Sequence, residues 1–257
     1  MSDLTGQHAA ITGGGTGIGL AVARRLAAAG ATVTLMSRNE EKLDRAAAEI
    51  SATRPVHVVP VDVTDEQSVD LGFAAAAGKA GPVTILVNNA GGAETAPLHK
   101  TSLESWQRSL DLNLTGCFLC TRAVLPGMRK ADAGRIINIA STAGLKGYAY
   151  TAAYTAAKHG VVGMTRALAA ELAGTGITAN AICPGFTDTE LVRNAVAFIV
   201  NRTGRKEKDV MAEFVAFNPQ GRLIAPDEVA ETALWLASPL ARSVTGQAIA
   251  IAGGEVT

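Results

Sequence analysis

The chain has 257 residues, 48% of them apolar, and its 23 basic side chains are matched by 23 acidic ones. That is enough apolar material for one large buried core, and the balanced charge lacks the basic excess that a nucleic-acid partner calls for. No apolar stretch reaches the about 18 residues of a membrane helix, and the opening MSDLTGQHAAITGG has no charged region followed by an apolar one, so neither a membrane span nor a secretion signal is expected.

Strand-length apolar runs alternate with helix-period segments along the chain. HAAIT (8–12) reads as a buried strand, and GIGLAVARRLAAAG after it as a helix closed by Gly30. TVTLMS (32–37) is a second strand, EEKLDRAAAEI a second helix, and VHVVPV (56–61) a third strand followed by a helix from about Thr64. TILVNN (84–89) precedes a long helical region from about Ser102 to Arg129, and RIINIA (135–140) leads to a helix ending near Leu172. ITANAI (177–182), the helical DEVAETALWLA and a last strand GQAIAIA (246–252) complete the series. Seven apolar strands separated by helices predict a parallel sheet covered on both faces. The segment from about 184 to 220 reads as irregular, and it is expected to act as a lid or a docking surface.

Cys117, Cys120 and Cys183 are too few for a disulfide framework, and no second Cys or His pair completes a zinc site with C-x-x-C at 117–120. Buried thiols one helical turn apart are expected, with no metal and a reducing, cytoplasmic setting.

Chemistry concentrates in two places. The first is TGGGTGIG, Thr12 to Gly19, placed between a strand and a helix. Glycines at 13, 17 and 19 remove side chains so that backbone N–H groups at a helix N-terminus can approach a pyrophosphate. The whole turn (Thr12, Gly13, Gly15, Thr16, Gly17, Ile18, Gly19) is therefore a candidate dinucleotide cradle. An NAD site wants an acid about 20 positions downstream, but here the second strand ends in Ser37-Arg38. A hydroxyl followed by a guanidinium suits a 2′-phosphate, so NADP(H) is expected in preference to NAD(H). Glu40 and Glu41 are expected to open the next helix.

The second place is STAGLKGYAYTAAYTAAKHG (141–160), which holds all three tyrosines. Tyr154 and Lys158, four apart in a helix-forming run, share a face. A neighbouring ammonium that lowers the phenol pKa by about 2–3 units would make Tyr154 a general acid and base near neutral pH. Tyr148 lies outside the helix, and Tyr150 is read as packing.

TGGGTGIG (12–19), NNAG (88–91), LNLTG with Asn113, INIAST with Ser141, YTAAK (154–158) and PGFTDT (184–189) together resemble, in order and spacing, the short-chain dehydrogenase/reductase family over essentially the whole chain. The resemblance implies an α/β fold: a single doubly wound, Rossmann-type domain over 1–257 with a seven-stranded parallel sheet, assembled as a homotetramer or homodimer. It implies Tyr154 as acid or base, Lys158 tuning it and holding the nicotinamide ribose, Ser141 bonding the reacting oxygen, and Asn113, at a mid-helix irregularity, holding a relay water. Asp62 and Val63 would contact the adenine, Asn89, Ala90 and Gly91 would line the cofactor, and Pro184, Gly185 and Thr187 would hold the nicotinamide amide. Two positions depart from the family pattern: Thr16 stands where many NADP-dependent members carry a basic residue, and Ala252 replaces an acid near the C-terminus.

Substrate would enter under a lid at about 186–220, with Tyr148 and Phe186 as pocket walls. The basic run NRTGRKEK (201–208) could meet the phosphates of a thioester carrier, whereas Ala170 stands where carrier-protein reductases often place a basic residue. A 3-oxoacyl or 3-hydroxyacyl thioester is the expected substrate, with free hydroxy acids and cyclic alcohols as alternatives. A cofactor-binding sensor without catalysis is the reading from another class.

Overall fold

Strands β1 (His8–Thr12), β2 (Thr32–Ser37), β3 (Val56–Pro60), β4 (Ile85–Asn88), β5 (Gly134–Ile139), β6 (Ile177–Pro184) and β7 (Ala248–Ile251) form one sheet in the order β3-β2-β1-β4-β5-β6-β7. This is a computed structural model, and it describes residues 3–50 and 55–256. Every neighbouring pair is parallel. Chain order reverses direction between β1 and β4, which opens a crevice at the carboxyl ends of the strands. The described residues also form helices α1 (Gly17–Ala28), α2 (Glu40–Glu49), α3 (Glu66–Ala80), α4 (Leu103–Leu110), α5 (Gly116–Ala131), α6 (Ala152–Glu171), α7 (Glu190–Thr203), α8 (Glu207–Ala216) and α9 (Pro226–Ala237).

The central strands are apolar on both faces because both are covered: all eight residues of β6 and all five of β1 are buried. On one face Leu26 of α1 and Val229 and Leu236 of α9 pack against Ile11, Val33 and Ile182. On the other, Phe73 of α3 and Val124 and Met128 of α5 pack against Leu86 and Ile136.

One sequence reading is sharpened and one changes. The helical region expected from about Ser102 to Arg129 is α4, a π-helical turn at Asp111–Thr115, where the irregularity at Asn113 was expected, and α5. The segment expected to be irregular carries α7 and α8, separated at Gly204, whose φ of 69° ends α7 in the left-handed region. Those helices escape periodicity analysis because only Val192 and Val196 of α7, and Val210 of α8, are buried, a stripe too thin to stand out. Other boundaries move little: α3 begins at Glu66, capped by Asp65, which accepts the Ser68 N–H at 2.8 Å. Cys117, Cys120 and Cys183 are free and buried, and burial pushes the Cys117 thiol up to about 12. Among the described residues no helix is long and apolar enough to cross a membrane.

Candidate active site

Every candidate residue lies just past the carboxyl end of a strand or faces that edge. After β1 the chain turns through Gly13 at φ +63° and Gly17 at φ +53°, conformations that side chains with a Cβ rarely adopt. A Cβ on Gly19 would stand 2.3 Å from the Gly13 carbonyl oxygen. Thr16 caps α1 without a side-chain hydrogen bond, so the first N–H groups of the helix are left to another acceptor. The segment after β4 braces this turn. Thr12 Oγ1 accepts the N–H groups of Asn89 and Ala90, both at 3.0 Å, and Asn89 Nδ2 donates to the carbonyls of Thr12 (3.1 Å) and Gly13 (3.0 Å). Asn89 thus holds the glycine turn with its side chain. A bare, left-handed backbone at an uncapped helix N-terminus fits a diphosphate.

Beyond β2, Arg38 is 74% exposed at its side chain and reaches Asp62, just beyond β3, across 3.9 Å. Asn39 caps α2 by accepting the Lys42 N–H at 2.8 Å, so Glu40 and Glu41 do open that helix. Ser37 donates only weakly, to the Asn39 carbonyl at 3.5 Å. Val63 is buried against Gly116, where a Cβ would come within 2.9 Å of it.

The end of β5 turns at Ser141, whose Oγ accepts the Ala143 N–H at 3.0 Å and caps a short 3-10 turn. Ser141 is also near enough to Tyr154 to favour ionisation of its hydroxyl. Tyr154 and Lys158 lie one turn apart on α6, with the Lys158 ammonium 5.7 Å from the centre of the Tyr154 ring. Lys158 is buried and donates to the Ile139 carbonyl at 2.8 Å. Burial pulls the amine down to about 8. Burial also pushes the Tyr154 phenol above its ordinary value, outweighing the opposing effect of Ser141. Desolvation is the largest influence on this phenol, while the Lys158 ammonium stands 5.7 Å from the ring centre and gives one of its protons to the Ile139 carbonyl.

Asn113 lies in the π-helical turn, buried, donating to the carbonyls of Gly92 (2.9 Å) and Ser109 (3.0 Å). A Cβ on Gly91 would stand 2.8 Å from Asn113 Oδ1 and 3.5 Å from Lys158 Nζ, so this glycine leaves the space between them open. A cavity of about 10 Å³, room for roughly one water, is lined by Asn113, Lys158, Asn88, Thr12 and Ile139.

Pro184, the last residue of β6, and Thr187 just past it are buried, and Thr187 donates to the Gly185 carbonyl at 3.0 Å. Phe186 and Tyr148 meet edge to face at 6.1 Å, and two rings not singled out in the sequence join them: Phe214 and Phe217 each lie 5.0 Å from Phe186. Only their spacing of three residues, one helical turn, signals them in the sequence. Tyr150 does not pack: it is 65% exposed, with a left-handed φ of 65°. A serine hydroxyl near a phenol, with a buried ammonium one turn away, can deliver or remove a proton at an oxygen held between the two hydroxyls.

Comparison with known proteins places the chain in a family. The family model described as short chain dehydrogenase matches residues 7–199. The putative ketoacyl reductase of the monensin polyketide synthase of Streptomyces virginiae is 43% identical, covering 99% of this chain and 98% of its own. The D-beta-hydroxybutyrate dehydrogenase of Cupriavidus necator is 40% identical, covering 98% and 99%. Among solved structures, an actinorhodin polyketide ketoreductase variant with NADPH superposes with a TM-score of 0.93 at 38% identity over 97% of each chain. Levodione reductase does so with a TM-score of 0.92 at 32% identity over 98% of each.

Proposed function

Because the chain belongs to the short chain dehydrogenase family, we propose that it interconverts a secondary alcohol and a ketone with a nicotinamide cofactor, Tyr154 serving as the proton donor in reduction and the acceptor in oxidation. When bound, the nicotinamide supplies the hydride chemistry. The turn from Thr12 to Gly19 takes the diphosphate, with Asn89, Ala90 and Gly91 beside it, Asp62 and Val63 at the adenine, and Pro184, Gly185 and Thr187 at the carboxamide. Ser141 orients the reacting oxygen and stabilises the charge that grows on it. Lys158 holds the ribose and, while charged, favours departure of the phenolic proton. Asn113 and the adjacent cavity hold the water through which that proton is replaced.

The observation that carries this reading is the placement of Tyr154 and Lys158 one turn apart on α6, with the amine 5.7 Å from the phenol ring and Ser141 at the neighbouring end of β5. Arg38, exposed at the end of β2, supports NADP(H) over NAD(H), and the NADPH in the actinorhodin neighbour points the same way. A 3-oxoacyl or 3-hydroxyacyl thioester is the first substrate class, in keeping with the ketoacyl reductase relative. Free hydroxy acids and cyclic alcohols are the second, the former in keeping with the hydroxybutyrate dehydrogenase relative. The reading takes 1–257 as one domain, with 186–220 as its substrate lid, in a cytoplasmic homotetramer or homodimer. The exposed Leu103, Phe118, Trp235 and Leu240 offer apolar surface for such contacts.

A turnover screen of acyl-CoA thioesters, hydroxy acids and cyclic ketones with both cofactors tests it. Tyr154→Phe should lower turnover about a thousandfold while cofactor still binds. No turnover by the unaltered protein across that panel refutes the reading.

A further inference from the structure

The last described residues, after β7, fold back over the crevice and bring one acid inside. The Glu255 side chain is 2% exposed, unlike the other ion-paired carboxylates, which lie at the surface. Its Oε1 takes two donors: the Lys146 ammonium at 3.2 Å and the Tyr148 hydroxyl. Lys146 also reaches the Glu255 backbone carbonyl at 3.5 Å and stands 5.0 Å from the centre of the Tyr148 ring. Oε2 has no hydrogen-bond partner and lies against Gly185, where a Cβ would approach it to 3.0 Å.

The Tyr148 oxygen is also 2.6 Å from Thr142 Oγ1. A phenol has one proton. With that proton given to the carboxylate, Thr142 must donate to the Tyr148 oxygen, and a directed chain runs Thr142 to Tyr148 to Glu255. Thr142 is the residue after Ser141, inside the turn that Ser141 caps, and Tyr148 lies between that turn and Tyr154. The carboxylate therefore joins three strand ends: those of β5, β6 and β7. Replacing it by a neutral amide would reverse the donor order or leave a buried group unpaired.

We propose that Glu255 is a positioning residue for the reaction, acting through Tyr148 to hold Ser141 and the segment leading to Tyr154 in register with Gly185. This rests on the oxidoreductase reading above. Glu255 touches no reacting atom; its effect is on the alignment of the groups that do, so it should act on turnover and leave cofactor affinity alone.

The test is a double-mutant cycle of Glu255→Gln and Tyr148→Phe, assayed with the best ketone substrate of the unaltered protein and NADPH. Each single change should lower kcat about tenfold, and the pair should lose no more than either alone, as coupled neighbours do. NADPH affinity, read by its fluorescence, should stay within about twofold in all three variants. A kcat within about twofold of the unaltered protein in Glu255→Gln, or losses that multiply to about a hundredfold in the pair, overturns the proposal. So does a lowered thermal midpoint with kcat intact, which is what a merely structural tail would give. Should Glu255→Gln fail to fold, the cycle of Tyr148→Phe with Thr142→Val interrogates the same chain and is judged by the same outcomes. An unaltered protein with no turnover refutes the oxidoreductase reading itself, whereas an active one indifferent to these changes refutes only the role given to Glu255.

Discussion

Around the turn after β1, shape is set by atoms that glycine lacks; around the ends of β6 and β7, it is set by side chains that meet from far apart in sequence. Gly13, Gly17 and Gly19 hold the first region by conformation and close approach, with Asn89 bracing the backbone from the neighbouring strand. Tyr148, Phe186, Phe214 and Phe217 hold the second as a cluster of rings, and Glu255 ties it down from 107 positions beyond Tyr148. A diphosphate presents the same charges in every dinucleotide, so a rigid backbone cradle serves it, whereas a substrate pocket is shaped by replaceable side chains. Disturbing the first region should therefore damage binding wholesale, and disturbing the second should change selected kinetic constants.

The largest effect that would sharpen this contrast comes from the glycine turn. In Gly19→Ala the new methyl meets backbone, which cannot swing aside. Overpacking of this kind costs about 2–3 kcal/mol, near a hundredfold in cofactor affinity, with a lower thermal midpoint as well. Gly15→Ala is its counterpart. Its nearest neighbours lie at 3.5 Å, so the fold should be unaffected while cofactor affinity falls. Calorimetric titration and thermal melts of both variants separate the two costs. Equal behaviour of the two would break the claim that Gly19 serves the turn itself and Gly15 the ligand.

Next in size is the pH dependence of ketone reduction. Burial pulls the Lys158 amine from 10.5 to about 8, so it is charged below that pH and neutral above it. The Tyr154 phenol is pushed upward and stays protonated through the same range. The kcat/KM for reduction should therefore fall about tenfold per pH unit above 8, and Lys158→Arg, which stays charged, should abolish that decline. Stability should move the other way. Between about 8 and 10.5 the unfolded chain binds the proton that the folded one has released, so this amine contributes increasing stability as pH rises through that window. A flat rate profile up to pH 10 in the unaltered protein would remove Lys158 from the chemistry.

The same contrast explains what could be read before any coordinates. Buried parallel strands are continuous apolar runs, so all seven were legible, as was a helix face shared by residues 154 and 158. The glycine turn was legible as a candidate dinucleotide cradle because of its place between the first strand and the first helix of a βαβ unit. Hidden from the sequence were contacts that no period encodes. Glu255 is a single acid in GGEVT, and nothing in its neighbours says that it turns inward. Asn88, Asn138, Thr121 and Thr165 form a buried hydrogen-bonded ladder between β4, β5 and two helices, although each looks like an ordinary strand or helix residue. The orientation of the Lys158 amine was hidden for a related reason. Spacing placed the amine beside Tyr154, but only coordinates show that it is turned to the Ile139 carbonyl.

The smallest effect asked of the molecule is at Gly204, which ends α7 and separates it from α8. Its φ is +69°, yet no atom lies within 4 Å of where a Cβ would go. Strain is then the only penalty for alanine, about 1–2 kcal/mol for a left-handed residue, which in a chain of this size lowers the thermal midpoint by roughly 2–4 °C per kcal/mol. At Gly19 a methyl collides and a ligand is lost; at Gly204 it collides with nothing. If α7 and α8 cover the crevice as a preformed unit, Gly204→Ala should melt earlier and keep kcat and KM within about twofold, since this local strain bears on no contact with the rings around Phe186. A marked rise in KM or kcat with little change in melting would mean instead that the two helices swing about this glycine during turnover, making the lid a hinged element rather than a fixed wall.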